Sequence, residues 1–197
     1  MQTDLITLMS ANLLFSVKIT PLVVVVATLI RSALLLSGNK RAFRSWTRNA
    51  ILSIVSIIFL PGMVVNTAVR YAVCSLFKID IKSVGFGSTY AELNLFLKVD
   101  SPPRVVVLVS ALYISTVASI FIAFSLLVLP VILIAGAPFL LLCWYLALAV
   151  LFNSSLRGGD VTLLGAALQG HPGRGLAELI IALCVLLVFY SFVGVGL

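Results

Sequence analysis

The sequence predicts an α-helical integral membrane protein with about five transmembrane helices and a short β-hairpin at the membrane surface. Of its 197 residues, 62% are hydrophobic and only 10% are charged. A typical soluble domain is about 45–50% apolar and about 25% charged. The apolar residues form long runs with charges at their ends, which is typical of membrane spans. One segment between two runs alternates apolar and polar residues, which is the period of a β-strand.

Each apolar run approaches or exceeds the roughly 20 residues that a spanning helix needs. The predicted spans, within a single membrane domain of residues 1–197, are residues 5–36, 50–77, 105–129, 131–153 and 176–197. Lys18 and Pro21 interrupt the first run, so it is either one kinked helix or an interfacial piece followed by a short span. Between the third and fourth runs we expect a tight turn near Pro130. Alternatively, Gly136 and Pro138 form an irregular start of the fourth span.

The residue pattern of positions 79–99 predicts the β-hairpin. In the second half of this segment, polar and apolar residues alternate and therefore point to opposite faces of a strand. Leu93, Leu95 and Leu97 lie on the apolar face, and Glu92 and Asn94 lie on the polar face. We expect residues 90–99 to pair with residues 79–86 after the flexible stretch Gly85-Phe86-Gly87. The hairpin should lie at the membrane surface, because charges on its polar face make full insertion costly.

The net charge of +7 indicates lipid contact rather than nucleic-acid binding. The basic residues flank apolar runs, where Lys and Arg set topology and meet anionic headgroups. We therefore expect a multi-pass protein integral to the cell membrane, with the lipid bilayer as a partner and no nucleic acid. Orientation stays open, because one side has the denser basic loop and the other has more basic residues in total.

The second run places polar residues at a helical spacing inside an apolar helix. Asn66, Arg70 and Cys74 are four residues apart and therefore stack on one face. Ionisable residues at membrane depth are candidates for function by default. The same spacing lets two histidines of one helix hold a zinc ion, with a glutamate after the first histidine as general base.

The stretch LPGMVVNTAVRYAVCSLFKIDIKSVGFG resembles the core of the site-2-type intramembrane zinc metalloproteases and their membrane-embedded relatives. Those proteins carry His-Glu-x-x-His in a span, often preceded by Pro-Gly and followed by a β-hairpin at the membrane surface. A later segment supplies an aspartate as third zinc ligand. Pro61-Gly62 stands at the Pro-Gly of the pattern, and the resemblance covers residues 60–160, about half of the chain.

By this resemblance, Asn66 and Arg70 stand at the two histidines and Thr67 stands at the glutamate. Asp160, in the predicted polar loop between the fourth and fifth spans, is the candidate for the distal aspartate. Asparagine is a poor zinc ligand, threonine cannot act as the general base, and arginine repels a metal ion. The resemblance therefore implies a pseudoprotease that has no catalytic residues, no metal and no cofactor.

An ion pair between Arg70 and Asp160 follows from this interpretation. Without the metal, a guanidinium would balance the carboxylate, and Asn66 would complete the network with its amide in a pocket below the membrane surface. More ordinary interpretations stay open. Asn66 and Thr67 would then join helices by hydrogen bonds, Arg70 would reach the interface with its long side chain, and Asp160 would be a loop carboxylate.

The function expected from these residues is binding rather than catalysis. The leading hypothesis is a non-catalytic, metalloprotease-like subunit that binds or supports another membrane protein, using the hairpin for strand addition. The alternative is a subunit of a transporter or channel with a polar site at Asn66 and Arg70. An active enzyme would need a nucleophile or an acid–base pair, and none stands at convincing spacing. A displaced metal site built from Cys74, Asp160 and His171 is a further, weaker alternative.

Overall fold

The computed structural model describes residues 2–36, 50–89, 92–99, 103–134, 136–155, 158–170 and 172–195. The helices of this part are α1 Gln2–Leu36, α2 Ala50–Ile58, α3 Leu60–Leu76, α4 Val105–Ile132, α5 Ala137–Asn153, α6 Gly158–Gly170 and α7 Pro172–Val195. Its strands are β1 Ile81–Thr89 and β2 Glu92–Val99.

Three of the described helices are long and apolar enough to cross a membrane. They comprise Ile6–Leu34 of α1, Val105–Ile132 of α4 and Gly173–Phe192 of α7, and α4 is the most buried of the three. Helix α5 is also apolar but shorter. Large apolar side chains dominate the exposed surface of these helices, as expected for contact with lipid. The protein is therefore an α-helical membrane protein with α4 at the centre of its helix packing.

Helix α1 is continuous through the first apolar run. Pro21 lies inside it, so the alternative of one helix applies rather than an interfacial piece with a separate span. Polar side chains on α1 are turned toward the interior, where Asn12 Nδ2 donates a hydrogen bond to Ser125 Oγ of α4 at 2.9 Å. This contact and the edge-to-face packing of Phe15 on Phe124 join α1 to α4.

The second apolar run is not one helix, because it breaks at Phe59 between α2 and α3. Pro61 has no N–H group, so a carbonyl of the preceding turn loses its helical partner. Side chains of α5 meet carbonyls at this break: the Tyr145 hydroxyl donates to the Ile58 carbonyl, and Asn153 Nδ2 donates to the Phe59 carbonyl at 2.9 Å. Residues 50–77, predicted as a single span, therefore contain two helices rather than one continuous helix.

Gly62 allows α3 to pack directly against the backbone of α5. A Cβ atom placed on Gly62 would lie 2.0 Å from the carbonyl oxygen of Ala149, a distance that no packed structure tolerates. The next residue, Met63, is almost fully buried. The Pro-Gly pair thus bends the chain and then brings two backbones together.

The turn between α4 and α5 follows Pro130 rather than coinciding with it. Pro130 is buried within α4, which continues to Ile132, and Ile134 adopts a positive φ of 48° just after the helix. Helix α5 begins after Gly136, with Pro138 in its first turn, where a missing N–H group has no effect. The alternative that assigned Gly136 and Pro138 to the start of the fourth span is correct, and the turn at Pro130 is wrong.

The predicted polar loop between the fourth and fifth spans contains a helix, α6. Its apolar residues recur at helical spacing and pack against α4, where Ala167 joins the buried Val105 and Leu108. This burial overrides the low helix propensity of the glycines in the segment. The predicted loop is therefore wrong for residues 158–170, which form a helix.

Strands β1 and β2 pair antiparallel, with Thr89 opposite Glu92 at one end and Ile81 opposite Val99 at the other. Tyr90 of the predicted second strand lies outside the described residues. The side chains of the predicted partner-binding positions Glu92, Leu93, Asn94, Leu95 and Leu97 also lie outside the described part. The backbone of β2 contacts both α2 and α3, so β1 is the strand away from these helices.

Candidate functional site

Arg70 and Asp160 form an ion pair between α3 and the first turn of α6. Arg70 Nη1 lies 2.5 Å from Asp160 Oδ1, and the two side chains are 11% and 12% exposed. Hydrogen bonds between two charged groups are among the strongest in proteins. The predicted contact is therefore confirmed. Arg70 does not extend toward lipid headgroups, and Asp160 is not an isolated loop carboxylate.

Asn66 lies one helical turn before Arg70 and joins three helices. Its side chain is 1% exposed, its Nδ2 atom donates to the Asn153 carbonyl of α5, and its Oδ1 atom accepts from Ser119 Oγ of α4 at 3.0 Å. These hydrogen bonds of the amide go to α4 and α5, and not to Arg70 or Asp160. The prediction that the Asn66 amide completes the network of the ion pair is therefore wrong.

Thr67 makes a local contact instead of joining helices. Its hydroxyl donates to the Met63 carbonyl of its own helix at 2.8 Å, and the side chain is buried. Independently of this contact, a neutral threonine hydroxyl is too weakly basic to take a proton from water as a general base.

Asn153 is a member of the site that the sequence interpretation missed. Its Nδ2 atom donates to the Phe59 carbonyl at the α2–α3 break and to the Ala149 carbonyl, while its own carbonyl accepts from Asn66. Asn153 thus links the break to the polar face of α3. A signal was available in the sequence, because an asparagine at the end of an apolar run is a candidate for interhelical hydrogen bonding.

A second buried cation lies at the end of α5. Arg31 of α1 is 6% exposed, and its Nη1 atom donates to Ser155 Oγ at 2.5 Å. Its guanidinium carbon lies 5.6 Å from the ring centroid of Phe152, which stacks on Phe59 with centroids 4.7 Å apart. The negative end of the α5 dipole and the aromatic face both favour a cation at this place.

The described residues contain no group of three His, Cys, Asp or Glu side chains that could hold a metal ion. Cys74 is half-buried on the same face of α3 as Arg70. His171, the third member of the displaced metal site considered above, lies outside the described residues. The carboxylate of Asp160 is a metal-ligand type, but it faces a guanidinium. The cluster of Asn66, Arg70, Asp160, Ser119 and Asn153 suits hydrogen bonding and charge pairing rather than activation of water.

Comparisons with models of known protein families, with curated proteins and with solved structures found no match.

Proposed function

We propose that this chain is a non-catalytic, metalloprotease-like protein that serves as a binding or structural subunit for another membrane protein. The observation that carries the proposal is the Arg70–Asp160 ion pair. The two residues stand at positions that, in the family the sequence resembles, meet at one metal ion. A guanidinium in place of the metal keeps the positive charge opposite the carboxylate and leaves the scaffold without its chemistry.

The distances are compatible with such a replacement. A tetrahedral zinc ion holds a histidine nitrogen and a carboxylate oxygen about 3.4 Å apart, because each bond is about 2.0–2.2 Å long. Arg70 Nη1 and Asp160 Oδ1 are 2.5 Å apart. Since histidine is shorter than arginine, the same separation of α3 and α6 suits a histidine with a bridging metal or an arginine in direct contact.

In the proposed membrane arrangement the chain crosses the cell membrane five times. Its spans are α1, the kinked pair α2–α3, α4, α5 and α7, while α6 is a short helix between two of them. Helix α5 has 17 residues, which is near the lower limit of about 17–25 residues for a span. The sheet of β1 and β2 then lies at the membrane surface beside α3.

The open edge of β1 is the proposed binding surface for the partner. Strand β2 pairs with β1 on one side and contacts α2 and α3, so an added strand meets β1. We assign hydrogen bonds to the pair Thr89 and Glu92, and pairs with and without hydrogen bonds then alternate along the two strands. Val84, opposite Leu97, falls at a pair without hydrogen bonds, which turns its N–H group outward.

The test is capture of a partner from native membranes. The tagged chain is cross-linked in its own host, purified and examined for membrane proteins at fixed stoichiometry. Val84→Pro removes the outward N–H group and should release the partner, whereas the matched control Val84→Ala keeps the N–H group and should retain it. A homogeneous chain without any membrane partner would contradict the proposal. Solute flux through the purified chain in vesicles would favour the transporter alternative instead.

A further inference from the structure

We infer that the Arg70–Asp160 ion pair is a latch that holds the first turn of α6 against α3, and that its release frees this turn. This inference goes beyond partner binding, because it concerns a conformational change of the chain alone. It rests on the unequal packing of the two ends of α6 and on the position of the ion pair at the loosely packed end.

The C-terminal half of α6 is anchored by apolar packing. Ala167 belongs to the buried cluster with Val105 and Leu108 of α4. Gly175 of α7 approaches α6 so closely that a Cβ atom there would lie 3.3 Å from the Leu168 backbone. Moving this half would expose apolar surface and break close contacts, so it is suited to act as the pivot.

The N-terminal turn of α6 has a different environment. No atom lies within 4 Å of a Cβ placed on Gly159, and Val161 is 62% exposed. Asp160 stands between these two residues and reaches back to Arg70. The first turn is therefore held by polar contact rather than by apolar burial, and weakening that contact allows local opening with the pivot intact.

Arg70 of α3 contacts this turn through Asp160, and Cys74 follows Arg70 by one helical turn on the same face of α3. Cys74 lies within electrostatic reach of both Arg70 and Asp160 and is half-buried. Its thiol is therefore a built-in reporter of whether the first turn of α6 is closed.

The experiment measures alkylation of Cys74 by a membrane-permeant maleimide in the full chain, with Cys143→Ala and Cys184→Ala to remove the other thiols. Asp160→Asn keeps the shape of the side chain but removes its charge. We expect alkylation about tenfold faster than in the parent, the change that corresponds to about 1.4 kcal/mol of opening free energy. Asp80→Asn, which removes an exposed carboxylate beyond the end of α3, is the matched control and should leave the rate unchanged.

A second readout separates opening from a change in thiol reactivity, because loss of a nearby carboxylate alters the thiol by itself. Backbone hydrogen exchange in α6 should accelerate in Asp160→Asn while exchange in α4 and α5 stays at the parent level. The charge-reversed pair Arg70→Asp with Asp160→Arg should slow both readouts again. Faster alkylation without faster exchange in α6 would overturn the latch, and so would exchange that accelerates equally in all helices. Neither result depends on whether a membrane partner exists.

Discussion

Removal of Arg70 tests the energetic role of the partly buried ion pair. Arg70→Ala leaves Asp160 charged in a place where its side chain is 12% exposed. Loss of one partner of a buried pair typically costs about 3–5 kcal/mol, and the residual exposure points to the lower end, about 3 kcal/mol. Asp160→Ala should cost a similar amount, because it leaves the Arg70 guanidinium without its carboxylate.

The double variant should lose less stability than the sum of the two single variants. Groups in direct contact show coupling energies of about 0.5–3 kcal/mol, and for two charges at 2.5 Å we expect about 2 kcal/mol. The assay is reversible unfolding in mixed micelles of mild and denaturing detergent, followed by tryptophan fluorescence. Arg174→Ala, which removes an exposed arginine of α7, should change stability by less than about 0.5 kcal/mol. Additive single-variant effects would refute the reasoning.

Three further predictions concern packing, the amide cluster and metal content. Gly62→Ala should destabilise the protein by at least about 1–3 kcal/mol through overpacking against α5. The control Gly165→Ala, with nothing within 4 Å of the new methyl group, should be neutral or stabilising. Equal effects of the two variants on unfolding in detergent would contradict the close approach of α3 to α5. Asn66→Ala should lower the free energy of unfolding by about 1–3 kcal/mol, because it leaves buried polar groups unpaired. Adding Ser119→Ala should lower it little further in the same assay. A second decrease of full size would show that the two side chains act independently. Elemental analysis of the purified chain should find far less than one zinc per chain, and a stoichiometric zinc lost on Asp160→Ala would revive the displaced metal site.

The ion pair could be predicted because helical spacing and the family resemblance both single out Arg70. Helical spacing put Asn66 and Arg70 on one face, and the resemblance supplied Asp160 as a distant candidate. Spacing within one helix gives the face but not the neighbours on other helices. For this reason the partners of Asn66, which are Ser119 and the Asn153 carbonyl, were missed.

The break at Phe59 and the helix α6 were missed for a related reason. Pro61 was recognised, but the side chains of Tyr145 and Asn153 that meet the carbonyls at the break come from a helix far along the chain. In residues 158–170 the polar residues and glycines favour a loop, but packing of Ala167 against α4 stabilises a helix. Tertiary contacts that cross many residues are not visible in a local pattern.

We propose that α3 and α6 keep the geometry of a lost metal site, and restoration of the ligands tests this proposal most directly. The variant Asn66→His with Thr67→Glu and Arg70→His is purified, checked for a folded and monodisperse state, and analysed for zinc. We expect about one tightly bound zinc per chain, because the Asp160 carboxylate already contacts the side chain at position 70. Adding Asp160→Ala should abolish this zinc binding. A folded variant that binds no zinc, or one that holds zinc equally well without Asp160, would contradict it.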